Sequence, residues 1–164
     1  MGCNIKFYAI VKNSGENLLS FNIYPNIDGQ LLRGILMAFC TISRSAFKED
    51  LTKLTLESNS MLMETFQYHI NTESMIKAII FSNRNISYQK LTDFSSKVLK
   101  RFVESFQEKI LKFDGNSSYF NDFKIWLKNQ ILETFPNEDD QYDDKLDNIF
   151  GKILDGDMSG LTDI

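Results

Sequence analysis

A chain of 164 residues in which 43% of side chains are hydrophobic and 13% aromatic has the makings of one globular domain, and that apolar content excludes wholesale disorder. A domain of about this length buries ~70% of the surface its unfolded chain exposes, so a real core is within reach. The formal net charge of −4 comes largely from acids near the C-terminal end. No Lys and Arg cluster is dense enough to displace phosphate counterions, which argues against a nucleic-acid binder; Lys97, Lys100 and Arg101 read as a solvated helix face.

The chain opens on Met1-Gly2-Cys3, a start that invites lipidation of Gly2 and Cys3. The acceptor pattern asks for Ser or Thr where Lys6 stands, and one acyl chain holds a membrane only marginally. A short leader into a strand is the better reading. No signal-peptide pattern is present and no apolar stretch approaches the ~20 residues of a spanning helix. Cys3 and Cys40, the only cysteines, are badly placed for a structural disulfide. A reducing, cytoplasmic setting is therefore expected, with peripheral membrane contact left open. Asn85 and Asn116 head glycosylation patterns that mean nothing without secretion.

Ile5 to Val11, IKFYAIV, is apolar on both faces apart from Lys6, which predicts a central strand covered above and below. Asn13 to Asn17 supplies a turn in which Gly15 can take a positive φ. Leu18 to Tyr24 then alternates, with Leu19, Phe21 and Ile23 on one face, as in a strand covered mainly on one side. Pro25 ends this hairpin and Asp28 can cap the helix that follows.

That helix, Gln30 to Lys48, organises the rest. Leu31, Leu32, Ile35, Leu36, Phe39, Ile42 and Ala46 recur at steps of three and four, and this is the face expected to cover the sheet. On the opposite side Met37, Ala38 and Cys40 leave no polar stripe at the helix middle. A helix apolar all round is buried all round, so the second cover is either another helix of this chain or a second protein.

Leu51 to Glu57 reads as an outer strand with Lys53 protecting its edge. Met61 to Ile70 follows, with Phe66, Tyr68 and Ile70 on one face and Gln67 and His69 on the other. Met75 to Phe81, MIKAIIF, reads as the second central strand. Ser87 is placed to cap a long helix carrying Leu91, Phe94, Val98, Leu99, Phe102, Val103, Phe106 and Ile110, which Asp114-Gly115 stops. Another helix runs from about Ser118, with Phe120, Phe123, Leu127, Ile131 and Phe135 on one face, until Pro136. From Asn137 onward Glu138, Asp139, Asp140, Asp143 and Asp144 make an acidic linker, and Leu146 to Leu154 is a short amphipathic segment that folds back or docks on a partner.

Hairpin and meander neighbours pair by default, so setting the two fully apolar strands side by side gives an α+β fold: a five-stranded antiparallel sheet of order 2-1-5-4-3. One helix lies on one face and two on the other. The domain spans residues 1–135, and 136–164 is the acidic linker with its short amphipathic end.

IKFYAIVKNSGENLLSFNIY, the single helix Gln30 to Lys48, and a meander closing in MIKAIIF before a long amphipathic helix together resemble the longin domains of the longin and roadblock superfamily. The resemblance covers about Ile5 to Phe113, with the helix to Phe135 as a further part. It implies a non-enzymatic interaction module that pairs with another longin or roadblock domain, as homo- or heterodimer, and acts as a platform for a small Ras-like GTPase in membrane traffic or signalling. No cofactor is implied. Such domains pair through the first helix and the outer third strand, which here places the partner surface at Arg33, Met37, Cys40, Thr41 and Arg44 with Lys53 and Thr55. No SNARE heptad run follows, which argues against a fusion SNARE.

A PAS-like or profilin-like small-ligand sensor is the rival from another class, but a PAS domain places several short helices where this chain has one long one. An enzyme ranks third, because His69 has no Cys or Ser partner at a recognisable spacing and no phosphate-cradling glycine loop exists. Asp155, Asp157, Ser159, Gly160 and Asp163 mimic the start of a calcium loop, yet the sequence stops before the bidentate Glu such a loop needs, and an acidic tail is the better reading.

Overall fold

The computed structural model describes residues 3–23, 29–48, 53–56, 61–83 and 86–136. Strands β1 (Ile5–Lys12), β2 (Asn17–Asn22), β3 (Lys53–Leu56), β4 (Met61–His69) and β5 (Met75–Asn83) form one antiparallel sheet ordered β2-β1-β5-β4-β3. The two apolar strands are central, as a two-sided apolar pattern demands. Between Lys6 and Lys12 every residue of β1 is buried, and Ile76 to Ser82 of β5 are buried as well. Gly15 turns the β1–β2 hairpin at φ +93, where its N–H donates to the Lys12 carbonyl at 2.9 Å.

Alternation along the central strands sorts their side chains into two separate cores. Phe7, Ala9 and Val11 of β1 join Met63, Ile79 and Phe81 on one face, where Met37 of α1 (Gly29–Ile42) packs against them. Tyr8, Ile10, Ile76, Ala78 and Ile80 point the other way, into the larger core built with α2 (Tyr88–Leu111) and α3 (Asn121–Thr134). One helix therefore lies on one face and two on the other.

Phenylalanine dominates the larger core. The Phe102 ring, wholly buried, lies with its centroid 5.4 Å from Phe106, 5.0 Å from Phe120 and 4.9 Å from Phe123. Helix α2 breaks its regular geometry at Phe106 (φ −135, ψ 16), where that ring meets Phe120 and Phe123 edge-on. Residues Ser117–Phe120 form a 3-10 turn ahead of α3, capped by Asn116, whose side-chain oxygen accepts from the Ser118 N–H at 3.1 Å. Ser87 stands at the N-terminus of α2, and its carbonyl accepts from the Leu91 N–H at 3.1 Å. The hydroxyl of Ser87 makes no capping bond, so the expected cap is backbone only.

The end of α3 is tied to the start of β1. Asn4 donates its N–H to the Phe135 carbonyl at 3.0 Å and its side-chain amide to the Pro136 carbonyl at 2.9 Å, beside a bridge between Cys3 and Pro136. Asp28, the acidic linker, the segment Leu146 to Leu154 and the Asp155 to Asp163 pattern lie outside the described residues.

Three outcomes follow from this packing. Phe102→Ala leaves a ring-sized void among three other rings and is expected to lower the unfolding free energy by about 3–5 kcal/mol, read by urea denaturation. Tyr8 Oη and Ser95 Oγ are buried in the same core and form no hydrogen bond of good geometry, and desolvation pushes the Tyr8 phenol pKa strongly upward against a smaller opposing effect of the neighbouring Ser95 hydroxyl. Because its buried hydroxyl makes no well-formed hydrogen bond, Tyr8→Phe is expected to leave stability unchanged or raise it by up to ~1 kcal/mol in the same assay. The Cys3 thiol has no exposed surface, and burial raises its pKa against smaller opposing effects of the Ile5 backbone and Lys6. A raised pKa means less thiolate at a given pH, so Cys3 is expected to resist a disulfide reagent at pH ~8 until the chain is unfolded; rapid native labelling would contradict this packing.

Candidate functional site

Helix α1 is the element with a surface to offer. Its Gly29–Ile42 run continues through a wide π-helical turn, Ser43–Phe47, and stops at Lys48, whose backbone is left-handed at φ 59. At ~100° per residue Leu31, Ile35, Phe39 and Ile42 fall on an arc of ~80°, with Met37 and Cys40 opposite them. The helix presents the first arc to solvent: Leu31 is 62% exposed, Ile35 45%, Phe39 45% and Ile42 57%, and Phe47 at 73% extends the stripe. Leaving these side chains wet forgoes hydrophobic free energy on the order of 5 kcal/mol. Contiguous apolar surface of this kind marks an interaction site.

This corrects the sequence-based orientation by half a turn. Leu31, Ile35, Phe39 and Ile42, expected against the sheet, face outward, while Met37 and Cys40, expected at a partner, face inward. Cys40 is only 6% exposed and Met37 is half-buried on Phe7, Ala9, Val11, Met63, Ile79 and Phe81. The reason lies in what the sheet already holds. Phe7, Phe81 and Met63 fill its face with bulk, and the hairpin turn leans in so closely that a Cβ on Gly15 would come 3.1 Å from Met37 Cε. An unbranched thioether and a small thiol fill so shallow a gap better than a row of Leu, Ile and Phe.

Thr41 and Arg44 are exposed on the other side of the helix, beside Met37 and Cys40. The Thr41 hydroxyl donates to the Met37 carbonyl at 2.9 Å, and Thr41 and Arg44 rim a recess of about 50 Å3 beside Lys12 and Lys77. Arg33 lies within α1, and Lys53 and Thr55 within β3, but their side chains are outside the described residues. Of the residues expected at a partner, Cys40 is buried and Met37 half-buried, whereas Leu31, Ile35, Phe39, Ile42 and Phe47 are exposed. No sequence signal separated the two arcs, because both are apolar.

Other chemistries have less to stand on. Among the described residues no group of three or more His, Cys, Asp or Glu is placed to hold a metal ion, and no helix is long and apolar enough to cross a membrane. His69 is exposed at the end of β4.

No family model matches the sequence, and no curated protein does. Among solved structures, Myxococcus xanthus MglB overlaps 52% of this chain and 70% of its own length at 16% identity, with a TM-score of 0.33. Superposition at that level carries no argument about function.

Proposed function

We propose that this chain is a non-enzymatic interaction module of longin type, which pairs with another longin or roadblock domain and serves as a platform for a small Ras-like GTPase in membrane traffic or signalling. The observation that carries the pairing is the outward apolar stripe of α1. A helix with Leu31, Ile35, Phe39 and Ile42 exposed along one side can pack against the equivalent helix of a second domain. The arrangement of a 2-1-5-4-3 sheet with one helix on one face and two on the other supports the longin reading. Thr41 and Arg44, both exposed, add polar groups on the side of the helix that carries Met37 and Cys40.

The test is the mass in solution of the chain alone and after Ile35→Asp with Phe39→Asp. Charge at two central positions is expected to weaken pairing by ~100-fold or more, because each large side chain buried is worth about 1.5–3 kcal/mol. Thermal stability is expected to hold or rise, since both residues are exposed. Arg44→Glu is expected to weaken pairing less. A wild-type chain that is strictly monomeric, and that captures neither a longin or roadblock domain nor a GTPase, overturns the proposal.

A further inference from the structure

The opposite surface, between α2 and α3, holds an open groove of about 440 Å3 whose walls carry Lys90, Lys97 and Arg101 against one acid, Asp93. Asp93 is engaged by the Gln89 side-chain amide at 2.9 Å. Among the described residues none of the three cations is paired with a carboxylate. Arg101 lies instead over the Trp126 ring, 4.0 Å from its centroid, and Lys90 over Phe135 at 5.1 Å. Aromatic faces orient these cations but leave their remaining N–H donors open.

Where the chain leaves this surface decides what can fill it. Thr134, the last residue of α3, lines the groove, and the following Phe135 sits under Lys90. The Pro136 carbonyl is then held by Asn4. Directly beyond come Glu138, Asp139, Asp140, Asp143 and Asp144. The cations from Lys90 to Arg101 span ~16 Å of helix, and a segment covering 138–144 reaches ~23 Å when extended. It is long enough to run the whole row.

We propose that the α2–α3 groove receives this chain's own acidic segment, residues 138–144, with its carboxylates paired to Lys90, Lys97 and Arg101. Tethering favours this occupant over an acidic segment of any other protein, because the attachment point adjoins the groove and the effective concentration is that of a short linker. Bidentate pairing to Arg101 would be the strongest single contact.

Trp126 is the chain's only tryptophan and lines the groove, so its fluorescence reports on this site alone. In the full chain at low salt, the combined change Asp139→Asn, Asp140→Asn, Asp143→Asn and Asp144→Asn is expected to raise acrylamide quenching of Trp126 about two-fold. Wild type should show the same rise in ~1 M NaCl, where the Debye length falls to ~3 Å. Lys97→Glu is expected to raise quenching at low salt and to abolish the salt response, whereas Glu104→Gln, away from the groove, should do neither. The salt titration needs no variant and so stands even if a substitution impairs folding. Quenching that is equal in wild type and the neutralised variant, or unmoved by salt in wild type, overturns the proposal. So does protection of Trp126 by an added acidic peptide in the otherwise unchanged wild-type chain, since the groove would then have been empty.

Discussion

One sheet with two apolar faces needs two covers, and in this chain the covers are unequal. Five strands at a spacing of ~4.8 Å make a surface more than ~20 Å wide, while a helix with its side chains is only ~10 Å across. Two helices close one face over an extensive aromatic core. On the other, among the described residues, α1 alone sits over the centre of the sheet, above β1, β5 and β4.

Helix α1 is apolar on both sides. Among the described side chains of α1, a thioether and a thiol face the bulky sheet, and Leu31, Ile35, Phe39 and Ile42 face outward. A monomer gains nothing from holding Leu31, Ile35, Phe39, Ile42 and Phe47 in water. A protein that pairs through this helix gains most of its binding free energy from them. The exposed apolar side chains of α1 are what support the proposed pairing.

The better-covered face has a different chemistry. There α2 and α3 meet as antiparallel neighbours whose outer seam is rich in cations and floored by Trp126, immediately before the chain turns strongly acidic. Charge complementarity so close in sequence favours an intramolecular contact over an encounter between molecules. The two surfaces lie on opposite sides of the sheet, so occupancy of one leaves the other sterically free.

Much of the fold was legible from periodicity alone. Strands apolar on both faces had to be central, the turn at Gly15 had to close a hairpin, and Leu91 to Ile110 had to be a long helix, because each pattern has one geometry that buries it. Sheet order then followed from pairing chain neighbours. Ser87 was legible as the start of α2 but not as a side-chain cap, since a hydroxyl's orientation depends on its surroundings. What only the tertiary structure decided was the rotation of α1 about its own axis. Periodicity defines arcs on a helix but not which arc meets the sheet; where both arcs are apolar, the choice falls to the shape of the opposing surface, which strands distant in sequence build together.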